Sequence, residues 1–150
     1  MRKVSARTLR WALNLWPPFL FAGIRVRAIA DDFMHARVEL RMRPWNRNYV
    51  GTHFGGSLFA MTDPFWMLLV MNALGSEYIV WDQAAEIRFM APGRGTVAAD
   101  FSLEDALLNE IRSRRFASRF TSGESARAEF APCQSGLRTV RLPGVSCWSG

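Results

Sequence analysis

Lysine is almost absent from this chain of 150 residues: Lys3 stands alone against 18 arginines. Cysteine is nearly as scarce. Cys133 and Cys147 are the only two, and no Cys-x-x-Cys pair occurs, which excludes a disulfide framework. Long apolar runs are missing too. The uninterrupted run Pro64 to Met71 is far short of the roughly 20 residues that a membrane span requires, so no transmembrane segment is expected. What remains is an ordinary globular composition, 49% hydrophobic and 21% charged. A chain of this length makes one domain and buries roughly 70% of the surface its unfolded form exposes.

The net charge of +6 is unevenly placed. Residues 1–112 carry 13 basic and 11 acidic groups, whereas 113–150 carry six and two. No single helix presents a basic face with interleaved aromatics, so nucleic acid is not expected as a partner.

Arg2, Lys3, Arg7 and Arg10 precede the apolar stretch 11–23 in the outline of a secretory signal. Pro17 and Pro18 break that stretch, and the small-residue pattern Ala28-Ile29-Ala30 follows only after Arg25 and Arg27. The expectation is instead an amphipathic helix from Ser5 to Leu15, capped by Ser5 and stopped by Pro17, in a cytoplasmic protein. Its Val4, Leu9, Trp11, Leu13 and Trp16 are placed to cover a sheet edge or a neighbouring subunit.

Apolar and charged residues then alternate over Ile24–Ala28 and Ala36–Met42, the period of strands with one buried face, with Asp31-Asp32 turning between them. Residues 55–75 open on Gly55-Gly56, with Ser57 as a candidate N-cap, close on Gly75, and are apolar on every side. A helix of that kind must be surrounded, and Asp63 in its middle argues for protein over lipid. Tyr78 to Met90 reads as a long strand with Ile79, Trp81, Ala85, Ile87 and Phe89 inward. Ala91 to Gly95 has turn chemistry, and Thr96 to Leu103 alternates again, so the two strands are expected to form a long hairpin. A short helix is expected over Glu104–Arg112.

The string Asn48-Tyr49-Val50-Gly51-Thr52-His53-Phe54-Gly55-Gly56-Ser57, followed by Asp63, resembles the hotdog-fold acyl-CoA thioesterases of the phenylacetate-degradation type. It is similar still more to the tetrameric acyl-CoA thioesterase branch of that superfamily. Trp81-Asp82 and Ile87 to Gly93 form a second matching block, and the resemblance runs from about residue 5 to residue 112. It implies an α+β hotdog fold, a curled antiparallel sheet wrapped around a central helix, in homodimers or homotetramers. It also implies an acyl-CoA or acyl-carrier thioester as substrate, with no metal and no bound cofactor.

The residue types fit that chemistry. Thioester hydrolysis needs a donor for the oxyanion, and a backbone N–H at a helix N-terminus, at Gly55 and Gly56, is one. It also needs a carboxylate to activate water or attack, and Asp63 in apolar surroundings would have a raised pKa. On a continuous helix Gly56 and Asp63 share a face but lie about 10 Å apart along the axis, so one carbonyl reaches both only if they come from different subunits. By the resemblance, Asn48 orients water or the carbonyl, while Phe54, His53, Ser57 and Asp82 border the substrate. Each has a plainer reading. Asp63 before Pro64 is also an N-cap, Gly55-Gly56 a tight entry turn, His53 a structural residue one position from the family's histidine, and Asp82 a partner for Arg88.

Residues 113–150 do not continue the pattern. They hold seven Ser, six Arg, four Gly and both cysteines, without sustained alternation. This composition resembles out-of-frame translation of a GC-rich coding region, or a divergent, disordered tail, and the last strands of the sheet are expected to be missing. Within the same fold, the alternative to hydrolysis is a non-catalytic acyl-CoA or acyl-chain binding protein.

Overall fold

A computed structural model of the chain describes residues 4–76, 78–80, 85–89 and 91–114, together with the backbone of 126–132, 138–141 and 147–148. Helix α1 spans Ala6–Leu15, and the Ser5 hydroxyl accepts from the Thr8 N–H as the sequence leads one to expect. Pro17 ends α1 but also begins α2, Pro17–Ala22, because the first turn of a helix has no use for the N–H that proline lacks. Gly23, at φ 82°, closes α2 in the left-handed region.

Strands β1 (Ile24–Ile29) and β2 (His35–Arg41) pair antiparallel, with a bulge between Val26 and Ala28. Helix α1 lies along the free edge of β1. The Asn14 amide donates to the Val26 carbonyl at 3.0 Å and accepts from the Val26 N–H at 2.9 Å, as a neighbouring strand would, and Arg10 donates to the Arg27 carbonyl. Of the two uses foreseen for this helix, covering a sheet edge is the one the structure displays.

The apolar segment after the loop is two helices, not one: α3, Gly55–Ala60, and α4, Asp63–Leu74, separated by a tight turn at Met61-Thr62. Read through that turn, Gly55–Leu74 is long and apolar enough to cross a membrane by composition. Its Phe65, Leu69 and Val70 are instead fully buried against the sheet, the behaviour of a core helix. Phe65 stacks between Phe19 of α2 and Phe101 of β5 (Thr96–Ser102), with ring centroids 6.0 and 5.1 Å apart.

Among the described residues the expected hairpin pairing is not found. Within 78–90 the described residues hold β3, Ile79–Val80, and β4, Ala85–Arg88, and the inward parity is not kept: Val80 is buried and Phe89 is exposed. Strand β5 pairs antiparallel with β2, giving the order β1-β2-β5. The register explains the choice. It sets Ala36, Val38 and Leu40 opposite Phe101, Ala99 and Val97 on the buried face, and Arg37 opposite Asp100 on the other, bridged at 3.0 Å. Helix α5, Asp105–Arg114, follows and buries Leu108.

Three strands fall within the segment expected to be irregular: β6 (Ala126–Pro132), β7 (Arg138–Arg141) and β8 (Cys147–Trp148). β6 runs parallel to β4 and antiparallel to β7, β8 pairs with β3, and β7 lies beside β5. Ala126, Ala128 and Phe130 do alternate with Arg127 and Glu129, a short strand signal hidden by its Ser- and Arg-rich surroundings. The architecture is α+β, an antiparallel three-stranded sheet with helices packed on it.

Candidate functional site

The approach to α3 is held by side-chain amides. Asn46, buried in a 3-10 turn over Pro44–Asn46, donates to the carbonyls of Ala22 and Arg41 at 2.8 Å each and accepts from the Arg43 N–H. It thereby ties the ends of α2 and β2 to the loop. A side chain at Gly23 would meet its Nδ2 at 2.7 Å, so this clasp needs a glycine beside it. Asn48 acts two residues on. Its Nδ2 donates to Thr52 Oγ1 and to the His53 carbonyl, and its Oδ1 accepts from the Val50 and Thr52 N–H groups. Both halves of that amide are engaged within the loop, so Asn48 shapes residues 48–53.

His53 is 3% exposed. Its N–H donates to the Gly93 carbonyl, and its Nε2 lies 2.8 Å from the Gly95 carbonyl, the geometry of a protonated Nε2 donating. Nδ1 is buried with no partner among the described residues. Burial pulls the imidazole below its ordinary pKa, the Gly95 bond opposing in part, so the neutral ring is the stable form. A Cβ at Gly93 would come within 3.3 Å of this ring, which is why the 92–95 turn packs so near it. His53 thus locks the loop before α3 to the turn before β5.

Helix α3 begins without a side-chain cap: Phe54 is the N-cap residue, and Ser57, the sequence candidate, is buried inside the first turn, where its carbonyl accepts from the Met61 N–H. A serine three residues past the cap has no orphan N–H ahead of it to receive, so the capping role does not arise. The Phe54 ring folds back over Gly56, where a Cβ would sit 2.4 Å from it, and the Phe89 ring covers Gly55, where a Cβ would sit 3.0 Å from it. Phe54 and Phe89 are both more than half exposed. The start of α3, whose first N–H groups have no intrahelical acceptor, is thus flanked by two half-exposed aromatic rings.

Asp63 is the first residue of α4, with Thr62 in the cap position and no side-chain capping bond made. Its carboxylate is exposed and has no hydrogen-bond or ion-pair partner among the described residues. Two expectations change here. Asp63 is not surrounded by apolar groups in the single chain, and it is not the N-cap. The Met61-Thr62 turn also means that the spacing of a continuous helix does not apply between Gly56 and Asp63. Asp82 lies outside the described residues. Among the described residues no three His, Cys, Asp or Glu side chains gather as metal ligands would.

The sequence profile of a domain of unknown function, DUF4442, matches residues 5–130. The chain belongs to the DUF4442 family. No curated protein and no solved structure matches it. The DUF4442 match takes in α1 through α5, every candidate residue above, and most of β6, carrying past Arg112 into the segment of divergent composition. The turn at Gly93–Gly95 was expected from sequence, whereas the clasp made by Asn46 and the placement of Phe89 over Gly55 were not. Asn46 carried a usable signal, since an Asn two residues after proline is turn chemistry, whereas Phe89 was hidden by its assignment to an inward face.

Proposed function

We propose that this DUF4442 protein has the hotdog form of the α+β class and hydrolyses acyl thioesters, of coenzyme A or of an acyl carrier, as a cytoplasmic dimer or tetramer. The observation that carries the reading is Asp63. Its side chain neither caps α4 nor pairs with another side chain among the described residues, and it lies exposed in the first turn of α4 as an available carboxylate.

In the proposed reaction the Asp63 carboxylate takes a proton from water. The oxygen attacks the thioester carbonyl carbon, and the oxyanion accepts hydrogen bonds from the N–H groups of Gly55 and Gly56. The intermediate collapses by breaking the C–S bond, and the departing thiolate takes up the proton. Phe54 and Phe89 flank the acyl group. A facing subunit, supplying Asp63 to the glycines of its partner, also desolvates the carboxylate that is exposed in one chain. His53 and Asn48 hold the loop that aims the glycines.

Steady-state hydrolysis of a panel of acyl-CoAs by the wild type and by Asp63→Asn tests this. Turnover that falls by about 100-fold or more in the variant is the expected result. Turnover equal in the two proteins would rule out Asp63. Acyl-CoA binding by calorimetry without turnover in the wild type would mark the protein as an acyl-binding member of the same fold.

A further inference from the structure

A second surface carries chemistry of another kind, independent of the acyl-thioester reading. On α1, Arg7, Trp11 and Leu15 follow one another at intervals of four residues and so share a face, the one turned away from buried Ala6 and Leu13. Trp11 is 57% exposed and Leu15 66%. The next residue, Trp16, closes α1 and opens α2, where Leu20 follows it by one turn and Phe21 is 71% exposed. The surface then passes to Trp45, 67% exposed, whose Nε1 donates to the Phe21 carbonyl.

The segments that build this apolar strip carry charge of one sign. Arg7 lies on it, and exposed Arg43 and Arg47 flank Trp45, with the Arg43 stem beside Gly23 at the end of α2. No acidic residue occurs in 4–30 or 40–62, the segments that build it. Arg10 is held by a bond from its guanidinium to the Arg27 carbonyl.

We propose that this face docks the protein peripherally on a bilayer containing anionic phospholipid. Tryptophans with leucine and phenylalanine at the level of the headgroups, and arginines reaching the phosphates, are what an interfacial helix pair presents. A second copy of the chain fits less well, because an isologous contact sets each patch against its own kind and brings Arg7, Arg43 and Arg47 of both copies together without a counter-charge. Nucleic acid gains nothing from Leu15, Leu20 and Phe21.

Co-sedimentation of the full chain with phosphatidylcholine vesicles, with and without about 30 mol% phosphatidylglycerol, decides the matter. The full chain is expected to bind the anionic vesicles, to release them as salt rises, and to bind neutral ones weakly. Arg7→Gln with Arg43→Gln should weaken binding by roughly 30-fold, and Trp11→Ser with Leu20→Ser should abolish it. All four residues are exposed, and unchanged circular dichroism would verify that the variants fold. Failure of the wild type to bind anionic vesicles overturns the proposal. So does equal binding to both vesicle types, or a wild-type dimer in light scattering that Trp11→Ser with Leu20→Ser converts to monomer without any vesicle binding.

Discussion

His53 and Gly56 show how single residues set the conditions of the site. Burial favours the neutral imidazole, since a second proton would sit on Nδ1, which has no partner among the described residues, and the bond from Nε2 to the Gly95 carbonyl opposes this only in part. Its pKa is lower in the folded chain than the 6.5 of the unfolded one. As pH falls below 6.5 the unfolded chain takes up protons that the folded chain resists, so His53 contributes stability above that value and loses it toward the depressed folded pKa. Thermal melts from pH 8 to 5 should therefore fall more steeply for the wild type than for His53→Gln. The difference cannot exceed about 1.4 kcal/mol per pH unit from one group. Parallel slopes in the two proteins would mean that the ring is already solvated. Gly56 acts sterically: its missing Cβ leaves room for the Phe54 ring, so the aromatic flank of the helix opening depends on that glycine and not on its flexibility.

Between elements, the contact that sequence could not reveal is the one α1 makes with β1. Asn14 occupies the place of a strand residue, and replacing it with Ala leaves the Val26 N–H and carbonyl facing the helix with no partner. Asn14→Ala should lower stability by about 1–3 kcal/mol, read from the urea midpoint, and make aggregation rise with concentration as an unpaired edge is exposed. Asn14→Asp keeps the acceptor and loses the donor, and should fall between. The extents of α1, β1, β2, β5 and α5 were readable because period and caps are local. The partner of β5 was not. It was settled by matching Arg37 to Asp100 and three apolar pairs across a long stretch of chain, whereas sequence proximity favoured a hairpin. The helix break was half visible: Asp63-Pro64 announced a second start, but the cap fell one residue earlier, at Thr62, because the Met61-Thr62 turn already bends the chain. Of the candidate site, the glycines and Asp63 could be named from sequence, while the commitment of Asn48 to its own loop depended on hydrogen bonds that no spacing encodes.

At the scale of the whole molecule, the near balance of charge in residues 1–112 conceals a separation. The acidic groups gather from Asp63 onward and around the β1–β2 turn, which leaves α1, α2 and the Pro44–Asn46 turn basic. The net charge of +6 therefore belongs to a surface as well as to the divergent last quarter of the chain. Assembly bears equally on the proposed catalysis, which draws its glycines from one subunit and its carboxylate from another. Asp63→Asn and Gly56→Val are each expected to be inactive, the first for want of the base and the second because the added side chain drives Phe54 off the helix opening. Coexpressed, they form mixed dimers in which the intact Gly56 of one chain meets the intact Asp63 of the other. One of the two sites is then whole, and since half of randomly assorted dimers are mixed, activity should return to about a quarter of the wild-type value. A site contained within a single chain gives no recovery, because each chain carries a defect of its own. Two separately purified inactive variants, mixed without subunit exchange, should stay silent, which separates assembly from trace contamination by wild type.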